Sequence, residues 1–155
     1  MNPKHAASLI EFKALSGDIS VMSVDTFINT GAIRAVPSAP TVLVVEDQAV
    51  LRLYVAEMIE QAGYVVLSAE DADEALQVMK NNPQIRAVFS DFEMPSVMTG
   101  LDLGYHLSRT RPDIAFVLTS GRQVPGSFAL PPRSLFVSKP FLESDVCAAL
   151  AQLVY

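Results

Sequence analysis

From residue 41 onward the chain alternates short apolar runs with helical patterns, and that rhythm leaves few folds open. The runs are 41–45, 64–68, 86–90, 114–119 and 134–138. Each is nearly continuous in apolar residues, the pattern of strands buried on both faces. Between the first two, Leu51, Tyr54, Val55, Met58, Ile59 and Ala62 recur at helical spacing, and Gly63 is placed to stop the helix. Residues 71–80 read as a second helix, with Asp71, Asp73 and Glu74 suiting its positive N-terminal end. Residues 101–110 and 142–153 read as two more. Strands and helices that alternate over short links imply right-handed crossovers. The predicted fold is therefore α/β, a doubly wound five-stranded parallel sheet.

One helix is missing from this rhythm. Between Ser120 and Ser134, Pro125, Gly126, Pro131 and Pro132 leave room for a loop or a short 3₁₀ turn. Residues 1–40 differ again and form an N-terminal extension, partly flexible, ahead of a domain over 41–155. Pro37, Ser38, Ala39 and Pro40 make a linker, and Leu9, Ile10, Phe12 and Leu15 suit a small amphipathic helix. Met22 offers a second candidate start of translation.

Composition narrows the function. The net charge is −6, and all of the excess lies after residue 40. No basic face for nucleic acid follows from that balance. No apolar run approaches the roughly 20 residues of a membrane span. Neither a secretory leader nor a disulfide is expected of this N-terminus and the single Cys147, so a cytoplasmic protein is the simplest reading. His5 and His106 sit away from any strand end.

The chemistry gathers at the ends of the runs. The first ends in Glu46-Asp47, the third in Asp91, the fourth in Ser120-Gly121 and the last in Lys139-Pro140. Parallel strands present their carboxyl ends at one edge, where ligands bind. A carboxylate there can attack phosphorus and form an acyl phosphate if the phosphoryl charge is neutralised. Mg2+ takes one or two carboxylates besides waters and phosphate oxygens. Asp47 and Asp91 are the expected direct ligands, Glu46 a ligand through water, and the backbone carbonyl of Glu93 a further oxygen. Lys139 offers a compact positive charge to one phosphoryl oxygen, and Ser120 a hydrogen bond to another.

These pieces carry a resemblance. Glu46-Asp47, Asp91-Phe-Glu-Met94-Pro95, Thr119-Ser120-Gly121 and Ser138-Lys139-Pro140-Phe141 make residues 41–155 similar to the receiver domain of two-component response regulators. The resemblance implies a flavodoxin-like (βα)5 fold with a degraded fourth helix. It implies Mg2+-dependent transfer of a phosphoryl group to Asp91 from a histidine kinase or a histidine phosphotransfer protein. It also implies a cis Lys139-Pro140 bond and a switch in which Ser120 moves inward and Phe136 follows. Two features depart from the family pattern. The loop Ser96-Val97-Met98-Thr99-Gly100 has one extra residue with Thr99 in place of an acid, and the fourth helix is lost.

With the chain ending at Tyr155, the expected function is a single-domain response regulator without an output domain. It would signal through an unidentified downstream protein or drain phosphate from a kinase, and would not be an enzyme beyond its own phosphorylation and dephosphorylation. Neither nucleic acid nor a membrane is an expected partner. Two alternatives stand beside it. One is a non-phosphorylated scaffold, or pseudo-receiver. The other is an Asp-nucleophile phosphatase of haloacid-dehalogenase type, which Glu46-Asp47-Gln48-Ala49 fits poorly because that chemistry needs a second Asp two residues after the first.

Overall fold

The computed structural model describes residues 38–122 and 129–155, and the backbone of two N-terminal strands. The chain divides into two compact units, Met1–Ser38 and Ala39–Tyr155. In the first, β1 (Ile10–Lys13) pairs antiparallel with β2 (Ile19–Met22), with Ile10 opposite Met22. The amphipathic helix expected of Leu9, Ile10, Phe12 and Leu15 is therefore corrected to a strand over Ile10–Lys13, while Leu9 and Leu15 lie outside the described residues. Ile10-Glu11-Phe12-Lys13 alternates apolar and charged residues with period two, which is strand periodicity.

In the second unit five strands form one parallel sheet: β3 (Thr41–Val45), β4 (Val65–Ala69), β5 (Ile85–Asp91), β6 (Ala115–Ser120) and β7 (Ser134–Ser138). Their spatial order is β4-β3-β5-β6-β7, with every neighbouring pair parallel. Among the described residues of this unit there are four helices: α1 (Ala49–Gln61), α2 (Ala72–Asn81), α3 (Gly100–Thr110) and α4 (Glu143–Val154). The predicted doubly wound α/β sheet is what the chain forms.

Alternation along the strands builds a core on each face. Val42, Val44, Phe89 and Val117 pack with Val55 and Ile59 of α1 and Val146 and Leu150 of α4. Leu43, Val45, Val88 and Leu118 pack with Ala75 and Met79 of α2 and Leu103 and Leu107 of α3. Two sequence readings need adjustment. The strands β4 and β7 are only partly buried, because they are the sheet's edges and each has one neighbour. Tyr54 is 55 % exposed although it fits the helical stripe of α1. At 100° per residue it sits roughly 85° off the centre of the stripe formed by Leu51, Val55, Met58 and Ile59.

Gly63 ends α1 as expected, with φ of 93° and its N–H donating to the Glu60 carbonyl. The loop expected between Ser120 and Ser134 falls largely on residues 123–128, outside the described ones, and residues 121–122 and 129–133 contain no helix. Among the described residues, no helix is long and apolar enough to cross a membrane.

Candidate functional site

Apart from Arg86, the inner strands β3, β5 and β6 are buried along their length, and polar groups take over at their ends. Glu46 follows β3, Asp91 ends β5 and Ser120 ends β6; all three are buried. Because the strands are parallel and adjacent, residues distant in sequence arrive at one edge. One carboxylate oxygen each from Glu46, Asp47 and Asp91 lies within 4.8 Å of the others. Lys139, just past β7, reaches back across the edge. Its Nζ donates to Glu46 Oε2 at 2.9 Å and lies 3.3 Å from Asp91 Oδ1. The Lys139-Pro140 peptide is cis, as the resemblance implied.

Burial dominates the electrostatics. Desolvation pushes the Asp91 carboxyl above its ordinary range, partly offset by the Lys139 charge and by N–H groups of Glu93 and Phe92. Glu46 is raised for the same reason, against its bond to Lys139, and the neighbouring Asp91 charge adds to the rise. For Lys139 desolvation alone would lower the value, but the bonds and charges of Glu46 and Asp91 outweigh it and leave it raised. Two crowded carboxylates and one ammonium thus leave an excess of buried negative charge, which a cation would relieve. A donor set made only of carboxylate oxygens suits Mg2+.

Ser120 Oγ accepts from the Arg122 N–H at 3.1 Å, and the Ser120 carbonyl accepts from the Lys139 N–H at 2.9 Å. Phe136 is half-buried on β7 and packs on the α2–α3 side, where Leu130 and Tyr105 also lie. Glu93 and Arg122 pair across the site at 3.0 Å. Both side chains are exposed, so the pair adds little stability.

Some contributors escaped the sequence reading. Arg52 on α1 donates from Nη1 to the backbone carbonyls of Glu46 and Asp47, holding the acidic pair from behind. Thr99, read only as a missing acid, is the N-cap of α3. Its hydroxyl accepts from the Asp102 N–H at 3.2 Å while Asp102 accepts from the Thr99 N–H at 3.0 Å. The spacing Thr-x-x-Asp resembles a capping box and was the available signal. The extra residue of this loop is accommodated at the surface, where Val97 is fully exposed.

Five parallel strands with helices between them, and acids and a lysine converging at the carboxyl edge, make an α/β domain of the flavodoxin-like type. Residues 42–151 match the response regulator receiver domain family. The chain belongs to that family, whose place is in two-component signal transduction.

Among curated proteins it is 38 % identical over 82 residues to the sensor kinase CckA of Brucella abortus, covering 52 % of this chain and 9 % of the kinase. It is 34 % identical over 83 residues to the autoinducer 1 sensor kinase/phosphatase LuxN of Vibrio campbellii, covering 54 % of this chain and 10 % of that protein. The chain thus spans about a tenth of the length of these relatives. Among solved structures, the receiver domain of a hybrid histidine kinase CckA matches with a TM-score of 0.61 at 26 % identity, covering 74 % of this chain and 99 % of that one. A response regulator receiver protein of Sinorhizobium medicae matches in fold with a TM-score of 0.67 at 23 % identity, over 75 % of this chain and 94 % of that one.

The charge excess makes a prediction. Millimolar Mg2+ should raise the melting temperature of the wild-type protein, because a ligand that binds only the folded state stabilises it. Asp47→Asn should abolish most of that rise while leaving the metal-free melting temperature nearly unchanged. Scanning calorimetry with and without Mg2+ checks both, and an equal rise in the variant would remove Asp47 from the site.

Proposed function

We propose that Asp91 accepts a phosphoryl group from the phosphohistidine of a histidine kinase or phosphotransfer protein. The observation that carries this reading is the placement of Lys139 Nζ within 3.3 Å of Asp91 and 2.9 Å of Glu46, beside the converging acids. A carboxylate oxygen of Asp91 attacks phosphorus. The P–N bond breaks, its electron pair stays on the imidazole nitrogen, and an acyl phosphate forms. Asp47 and Asp91 would hold Mg2+ directly, Glu46 through water, with the Glu93 carbonyl as a further oxygen. Bound there, the ion would neutralise charge on the phosphoryl oxygens.

Lys139 already carries its proton in the resting site and has only to shift its ammonium from Asp91 to a phosphoryl oxygen. The buried Ser120 hydroxyl donates to another phosphoryl oxygen, and this pull on the end of β6 draws Phe136 inward. The domain then signals through a downstream protein, or returns phosphate to water as a sink. We place it in the cytoplasm, where kinases of this type deliver phosphate, and assign it no turnover of a separate substrate.

Phosphotransfer from purified histidine kinases, followed by intact mass measurement, tests the reading. A single added phosphoryl group that requires Mg2+ is expected. No labelling by any kinase or by a small phosphodonor would leave a non-phosphorylated scaffold.

Lys139→Ala should slow labelling at least about tenfold, the scale of one lost charge-stabilising contact. It should also lower metal-free stability by about 3 kcal/mol, because Glu46 and Asp91 are left buried without a counter-charge. Mg2+ should recover part of that loss. Urea denaturation and labelling kinetics measure both quantities.

A further inference from the structure

Strand β6 ends in two successive hydroxyls, and the proposed function uses only the second. Thr119 is fully buried, and its Oγ1 is a buried side-chain atom that lacks a hydrogen-bond partner among the described residues. An unpaired buried hydroxyl is costly, and valine would fill the same volume without the cost. A partner is therefore to be sought in another state of the site.

The sheet register says where that partner lies. Alternate residues of a strand share a face. Ala115 and Val117 belong to the core beneath α1 and α4, so Thr119 continues their row. Ala87 and Phe89 belong to the same core, so Asp91 continues theirs. The two rows meet, because Asp91 and Thr119 are direct register partners on strands about 4.8 Å apart. On its other flank Thr119 faces Val137, which offers no side-chain acceptor. Lys139, two residues further on, carries only donors. The side-chain acceptor on its register partner is the Asp91 carboxyl group. In the resting site that group is already engaged by Lys139 at 3.3 Å.

We propose that Thr119 is a latent donor for the phosphorylated site, its hydroxyl bonding to an Asp91 carboxyl oxygen once a phosphoryl group has drawn Lys139 away. This rests on the phosphoryl-acceptor reading above. In the resting state the hydroxyl has no partner among the described residues, and phosphorylation pairs it, so the bond contributes only to the modified form. Ser120 holds the phosphoryl oxygens from one face of β6, and Thr119 holds the acyl group from the other.

Beryllofluoride with Mg2+ is the probe, with adduct formation on Asp91 followed by fluorine NMR and resting stability by urea denaturation. In Thr119→Val the apparent affinity for beryllofluoride should fall about tenfold, while resting stability stays level or rises. Thr119→Ser should do the reverse, keeping the affinity but losing stability with its methyl group. An affinity in Thr119→Val within about twofold of wild type would overturn the inference, as would a loss of resting stability confined to the valine variant. Wild-type protein that forms no adduct would overturn this inference together with the phosphoryl-acceptor reading. A wild-type adduct that the valine variant matches overturns this inference alone.

Discussion

Asp91→Asn is expected to abolish phosphoryl acceptance, with no added mass after incubation with a phosphodonor and Mg2+. The amide nitrogen and oxygen that replace the carboxylate cannot form the acyl phosphate, and no other acid stands at the end of β5. The same substitution should make the resting, metal-free protein more stable at neutral pH, by about 1 kcal/mol. Burial holds the folded-state value of Asp91 above its ordinary 3.8, so the folded protein binds its proton more readily than the unfolded chain. Its charged form is therefore destabilising when pH lies above the folded value. That penalty fades as pH falls through the folded value toward 3.8. The stability gap between variant and wild type should accordingly be widest near neutrality and shrink on acidification. Parallel urea titrations across the acid range check the slope. A variant less stable than wild type at pH 7 would show that the Lys139 pair outweighs the desolvation of Asp91.

The sheet and its edge were legible because each functional residue terminates an apolar run. Residues 42–45 and 87–90 can only be buried, so the acids that follow them must emerge at the carboxyl edge, and parallel strands make that edge common. What the pattern lacks is spatial order. Nothing in residues 64–68 marks them as an edge strand, since their apolar content matches that of the central ones. Tyr54 fits a helical repeat at the flank of its stripe as well as at its centre. Thr99 is legible as a cap only if its spacing to Asp102 is weighed ahead of its departure from a family pattern. Arg52 shows a further limit. Its task is to bind two backbone carbonyls, and a cation on the first turns of a helix looks in sequence like any solvated charge. Ile10–Lys13 is short enough to suit a helix or a strand, and strand periodicity prevails there.

Gly100→Ala should cost about 3 kcal/mol of stability and carry the site with it. An alanine Cβ at this position would stand 1.9 Å from the Asp91 carbonyl oxygen and 2.8 Å from its carbonyl carbon. The obstruction is backbone, so no side-chain rotation relieves it. Either α3 lifts from the end of β5 or the Asp91 peptide turns. The first course breaks the Gly100 N–H bond to the Phe92 carbonyl, 3.1 Å in length, and pulls Leu101 and Leu103 out of the core they share with Val88 and Leu118. The second disturbs the bond from Ser90 Oγ to the Asp91 carbonyl and re-aims the carboxylate away from Lys139. Both routes join folding to function, because the residue that starts α3 is packed on the residue proposed to take the phosphoryl group. Urea denaturation should show the loss, and labelling under conditions where the variant is still folded should show slowed phosphorylation. A cost below about 1 kcal/mol with normal labelling would mean that the loop 92–99 yields and absorbs the added methyl group.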